Sequence, residues 1–233
     1  MENYENGLPS VNASKKVCGM ISRFIDAVTS LYKKQVDNAF VELNKSAKPG
    51  SIVFVGDSIT DFFRLNEFFH GAYVINRGIS GDTTDGVLKR LNESVFELQP
   101  SKVFLLIGTN DIGGNKSDGH IVRNIGEIID RIREKCPETR IYLQSIYPVS
   151  KAGHKKIRKY IVGKRNNEKI RRINEALKEM AKQKGVEYID VYSHLIDEEG
   201  NLRLEYTVEG LHLTVEGYRI CAEVLRPYVF GIK

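Results

Sequence analysis

Between residues 50 and 192, short apolar runs alternate with longer stretches of mixed polarity. The runs 52–55, 73–75, 103–107, 141–146 and 186–191 are rich in Val and Ile and too short to be ordinary helices. Such runs suit strands buried on both faces of a parallel sheet. Between and after them, 86–98, 121–135 and 168–184 are predicted helices; in the last, Ile170, Ile173, Leu177 and Met180 recur at helical spacing. A final helix is predicted over 215–228. Ahead of the first strand, Val17, Ile21, Phe24, Val28, Leu31, Phe40 and Leu43 predict one long or broken amphipathic helix over 15–45, stopped by Lys48, Pro49 and Gly50. The chain therefore divides into a polar, mobile segment (1–14) plus helix over 1–49, and an α/β domain over 50–233 with right-handed crossovers. In such a sheet, ligands sit beyond the carboxyl ends of the strands. Candidate chemistry is sought there.

Composition narrows the class without changing that picture. The 233 residues are 41% hydrophobic and 28% charged, the balance of a globular domain with a real core. No apolar run approaches the roughly 20 residues needed to cross a bilayer, and no secretory signal opens the chain. A cytoplasmic location is expected. Cys18, Cys136 and Cys221 have no metal-site spacing, and their odd number argues against a disulfide framework. The net charge is +5, but residues 151–172 hold ten Lys or Arg against the single acid Glu168. That stretch can be a solvated face, or it can overhang the carboxyl end of the sheet and favour acidic substrates. No nucleic-acid-binding module accompanies it, so no nucleic-acid partner is expected.

Three strand ends and one late turn carry candidate chemistry. The first strand leaves through VFVGDSITD (53–61), where Gly56 turns the chain and Asp57 or Ser58 can cap a helix. Ser58 can equally be a nucleophile, although Thr60 departs from the G-x-S-x-G elbow. After the second strand, NRGISGDTTDG (76–86) offers Gly81, whose N–H can turn a helix start or face an oxyanion. After the third, IGTNDIGG (107–114) places Asn110 as a turn residue or a fixed amide donor. Near the end, VEGLHLTVEGY (208–218) sets Glu209 three residues before His212. A carboxylate there can fix the tautomer of the ring and leave its other nitrogen as a base. His70, His120, His154 and His194 lack such company, and Asp190 and Asp197 lack a comparable partner.

In this order GDSIT, NRGISGDTT, IGTND and EGLH resemble the SGNH, or GDSL, hydrolase superfamily over about residues 50–230. The chain is similar in particular to the branch of platelet-activating-factor acetylhydrolase-like enzymes and carbohydrate acetylesterases. The resemblance implies a flavodoxin-like three-layer α/β/α sandwich with a five-stranded parallel sheet, the SGNH hydrolase fold. It implies Ser58 as nucleophile, His212 as base, and an oxyanion hole of the Ser58 and Gly81 N–H groups and the Asn110 amide. It needs no metal and no organic cofactor. The family's usual Asp-x-x-His is here Glu209-x-x-His212, so glutamate would have to orient the ring. The expected activity is a serine esterase acting on a small-molecule ester, with a small acyl group, acetyl first, on a sugar or lipid alcohol. A lysophospholipase or thioesterase is the alternative, as is a catalytically silent carbohydrate-binding protein on the same fold.

Overall fold

The computed structural model describes residues 11–151 and 153–232. It runs α1 (Val11–Asn44), β1 (Ile52–Gly56), α2 (Ser58–Asp61), α3 (Leu65–Phe68), β2 (Val74–Gly78), α4 (Thr84–Lys89), α5 (Leu91–Ser94), β3 (Lys102–Leu106), α6 (Thr109–Gly113), α7 (Asp118–Lys135), β4 (Arg140–Gln144), α8 (Lys159–Val162), α9 (Asn167–Gln183), β5 (Glu187–Ile189), α10 (Tyr192–Leu195) and α11 (Val215–Phe230). The strands pair in parallel in the order β2-β1-β3-β4-β5. This is the expected flavodoxin-like α/β/α sandwich. Of the segment read as mobile over 1–14, residues 1–10 lie outside the described residues, and from Val11 the chain is helical.

Period-two alternation in the strands divides the core into two layers. Val53, Val55, Val103, Leu105, Ile141 and Leu143 face the side covered by α7 and α9. Those helices return a stripe of Ile121, Ile125, Ile128 and Ile132, and of Ile170, Ile173 and Leu177. Ile52, Phe54, Phe104, Leu106 and Tyr142 face the other side, against Ile59, Phe63 and the α11 residues Cys221, Ala222 and Leu225. There Phe54 stacks on Phe104 at 4.6 Å and Phe104 on Tyr142 at 4.8 Å, a ladder of rings across three adjacent strands. Cys136 and Cys221 are buried and free. No described helix is long and apolar enough to cross a membrane.

Three expectations need correction. The helix predicted over 86–98 is broken into α4, α5 and a 3-10 turn over Phe96–Leu98. Backbone geometry leaves the helix at Arg90, whose guanidinium turns inward to Asp82 Oδ2 (2.7 Å), Ser94 Oγ (2.8 Å) and the carbonyls of Arg77 and Gly56 (both 2.9 Å). The second strand continues past its apolar run to Gly78 because Asn76, though polar, is satisfied by the Thr60 and Phe63 carbonyls. Finally, α1 runs unbroken, one of the two forms expected, but of its apolar positions from Val28 onward only Phe40 is buried. Val28, Leu31 and Leu43 are 49%, 68% and 56% exposed. The inward stripe is Lys33, Asp37, Phe40 and Asn44, spaced four, three and four residues apart, and it makes mostly polar contacts.

Candidate active site

At the carboxyl end of β1 the backbone turns sharply into α2. A Cβ on Gly56 would run into Thr60 Oγ1 and the Leu106 carbonyl, so the turn requires glycine. Asp57 caps α2, its Oδ1 accepting from the Ile59 N–H at 3.0 Å. Burial pushes the Asp57 carboxyl up to about 7, opposed by that same N–H. Ser58 then occupies the first helical position, where a backbone N–H has no acceptor within the helix. Its Oγ lies 3.0 Å from His212 Nε2. Tyr218 of α11 fixes α2 from behind, its hydroxyl donating to the Ile59 carbonyl at 2.8 Å.

His212 is held by a tight turn that folds back on itself. The Thr207 hydroxyl donates to the His212 carbonyl at 2.9 Å and accepts from the Gly210 N–H at 2.8 Å. Glu209 curls back so that Oε1 accepts from the His212 N–H at 3.0 Å and lies 2.6 Å from Nδ1. The longer side chain thus has the reach that the spacing demands. With Nδ1–H donating to the carboxylate, the hydrogen-bond network assigns the tautomer whose Nε2 lone pair faces the Ser58 hydroxyl. The Phe62 ring, 51% exposed, stands 5.3 Å from the imidazole.

Gly81 and Asn110 are tied to one another through Asp82. Gly81 sits at φ +75°, a left-handed conformation, and its N–H makes no hydrogen bond among the described residues. Its carbonyl accepts from Lys33 Nζ at 2.7 Å, and the preceding Ser80 donates to Asp61 from both Oγ (2.6 Å) and N (3.2 Å). Asn110 Nδ2 donates to the Asp82 carbonyl at 2.8 Å, while Oδ1 accepts from Arg165 Nη2 at 2.8 Å. These two bonds fix which way the amide faces and leave its second hydrogen available. Such a group can stabilise negative charge without acting as a base.

Ser58, His212 and Glu209 therefore form one hydrogen-bonded line, while Asn110 bonds the carbonyl of Asp82, the residue that follows Gly81. The other histidines stay elsewhere; His120, for example, pairs with Asp85 at 3.1 Å. Two residues were given no part in the site by the sequence, Phe62 and Arg165, and Asp82, expected with Thr83 as a possible helix cap, leaves that cap to Thr83. Arg165 is buried, and its Nε and Nη1 also bind Thr109 and the Ile161 and Val162 carbonyls. Burial lowers its pKa while the charge of Asp57 opposes the shift, and the guanidinium remains protonated. Among the described residues, Asp85, Asp111 and His120 have ligand atoms within 4.8 Å of one another. Both Asp111 oxygens accept from Thr84, at 3.0 and 2.7 Å.

The basic stretch divides once its partners are known. Lys156 binds the Leu204 carbonyl, Arg158 the Lys155 carbonyl, and Lys169 and Arg172 both reach Asp118. Lys151 and Lys159 instead line a cavity of about 360 Å³ with Val162 and Gly163.

Comparison with known proteins gives a consistent result. The family model described as GDSL-like Lipase/Acylhydrolase matches residues 54–220. Platelet-activating factor acetylhydrolase IB subunit alpha2 of Homo sapiens is 27% identical over 194 residues, 79% of this chain and 78% of that protein. The alpha1 subunit from Bos taurus is 26% identical over 185 residues, 77% of this chain and 74% of that protein. A solved structure from Streptococcus pneumonia, provisionally described as a platelet activating factor, superposes with a TM-score of 0.85 at 33% identity, covering 91% of this chain and 99% of that one. An acetyl xylan esterase, AlAXEase, shares the fold at a TM-score of 0.63 and 17% identity, covering 77% of this chain and 99% of its own.

Proposed function

Because the chain belongs to the GDSL-like lipase/acylhydrolase family and is an ester-hydrolysing enzyme, we propose that it is a serine esterase working through an acyl-enzyme on Ser58. His212 Nε2 takes the Ser58 proton as Oγ attacks the ester carbonyl. Glu209 holds the ring and stabilises the imidazolium that forms. The carbonyl oxygen, now negative, is held by the Ser58 and Gly81 N–H groups and the free hydrogen of Asn110 Nδ2. Imidazolium protonates the leaving alcohol, and water, activated by the same nitrogen, then releases the acid. The observation that carries this reading is the unbroken line from Ser58 Oγ through His212 to Glu209 Oε1, at 3.0 and 2.6 Å.

The acyl group is proposed to be small, with acetyl as the first choice, on a sugar or lipid alcohol. Support comes from the relatives at 26% and 27% identity, which are named acetylhydrolases. A fluorophosphonate probe should label the wild type and leave Ser58→Ala unlabelled, and Ser58→Ala should lose turnover of p-nitrophenyl acetate while keeping its melting temperature. Glu209→Gln should lower kcat roughly 10-fold to 10³-fold, less than the loss of about 10⁴ known for an acid-to-amide change in another triad. Unlabelled, folded wild type would favour a silent binding protein. Normal kcat in Glu209→Gln would reduce the triad to a Ser58–His212 pair.

A further inference from the structure

We infer that the substrate carries an anionic group, a carboxylate or a phosphate, close to its ester bond, held by Lys151 and Lys159 in the cavity beside the His212 turn. The inference rests on the serine-esterase reading and adds the substrate's charge to it.

The backbone locates the cavity. Ser150, directly before Lys151, donates its N–H to the Gly210 carbonyl at 2.8 Å, and Arg158, directly before Lys159, donates to the Glu209 carbonyl at 2.8 Å. Both lysines therefore spring from segments bonded to the turn that presents His212. Val162, which lines the cavity, joins it to the other half of the site. Its carbonyl accepts from Arg165 Nη1 at 3.2 Å, and Nη2 of the same guanidinium holds Asn110. Its Cγ2 also packs so closely on the turn that a Cβ on Gly210 would come within 2.7 Å. Val162 thus packs on the turn that presents His212 and is one guanidinium removed from Asn110.

Charge then indicates what would occupy it. Among the described residues, the cavity lining includes two lysines and no carboxylate. Neither ammonium makes a hydrogen bond or an ion pair among the described residues, although other bases of the same stretch are engaged. Two unpaired like charges at one cavity repel each other, and an anion between them relieves that repulsion and gains two charge-assisted contacts. Both lysines are exposed, so solvent limits the gain from each contact to the modest range of surface ion pairs.

The test compares phenyl acetate with 4-acetoxybenzoate and 4-acetoxyphenyl phosphate. The quantity read is the ratio of kcat/KM for each charged ester to that for the neutral one. In Lys151→Gln/Lys159→Gln the ratio should fall roughly 3-fold to 20-fold for at least one anion, and the larger fall identifies which. Added salt should lower the wild-type ratio and leave that of the double variant little changed. Lys164→Gln, an exposed base outside the cavity, should keep the wild-type ratio. An unchanged ratio for both anions in the double variant overturns the inference. A binding arm separates this from failure of the esterase reading. In a Ser58→Ala background, calorimetry with 4-hydroxyphenyl phosphate and 4-hydroxybenzoate should show weaker binding once both lysines are replaced. If the wild type lacks Ser58-dependent turnover, the mechanism fails, and this binding difference alone decides the subsite.

Discussion

Arg165 shows how a side chain remote in sequence can govern the one proposed to face the substrate. Its guanidinium donates to Asn110 Oδ1 across 55 residues and anchors the Thr109 carbonyl at 2.9 Å, so the amide that would hold the oxyanion cannot flip. Losing an oxyanion donor outright typically costs on the order of 10²–10³ in kcat. Arg165→Met, which loosens the donor without deleting it, should cost roughly 10-fold to 100-fold in kcat with little change in KM. A general structural role would make that loss add to the loss from Asn110→Ala. Positioning predicts the opposite: in an Asn110→Ala background Arg165→Met should change kcat little. Additive losses, measured well below the melting temperature of each variant, would sink the idea. Ser58 and the Glu209–His212 pair were legible because each lies in a short motif whose local spacing carries its own chemical reason. Arg165 was not, because it stands in a run of ten bases that reads as a solvated face, and its acceptors on Thr109 and Asn110 come from a different strand end.

Strand and helix periodicity told the elements apart, but not always what they face. The strands were legible because burial on both faces of a parallel sheet demands continuous runs rich in Val and Ile. The break at Arg90 was not, since it depends on four acceptors supplied by three other parts of the chain and one turn of its own. In α1 Val28, Leu31 and Leu43 point outward, while Phe40 packs inward in a stripe with Lys33, Asp37 and Asn44, and Lys33 binds the Gly81 carbonyl at 2.7 Å and pairs with Asp82 at 3.4 Å. A helix that begins before the residues matched by the family model thereby braces the loop carrying a proposed oxyanion donor. Lys33→Met keeps the apolar stem and removes the ammonium. It should lower kcat roughly 3-fold to 10-fold by loosening Gly81, while KM for a neutral ester stays near its wild-type value. Lys33→Arg, which can still donate to the carbonyl, should recover most of the loss. A kcat unchanged within twofold in Lys33→Met would reduce α1 to a packing element.

For the whole molecule, the neighbour of the proposed nucleophile couples folding to pH. Asp57 is buried, and its pKa rises from 3.8 to about 7 because burial disfavours the carboxylate more than the Ile59 N–H favours it. A folded-state pKa above the unfolded value means that the native state binds the proton more tightly. The resulting stability is fully present below about pH 4 and is lost as pH rises through about 7. This runs against the usual trend for carboxylates, and Asp85, whose pKa is lowered through hydrogen bonds to Asn124 and His120 despite some desolvation, contributes in the usual direction. Asp37 and Asp111, raised mainly by burial, add to the unusual trend, so the wild-type curve alone does not isolate Asp57. Asp57→Asn does. Asparagine keeps an oxygen to cap α2 and cannot ionise. The melting temperature of the variant minus that of the wild type should therefore climb between pH 4.5 and pH 8, by an amount on the order of a few kcal/mol in stability. A flat difference across that range would mean that Asp57 titrates at an ordinary value, and that the turn presenting Ser58 is built on a carboxylate rather than a carboxylic acid.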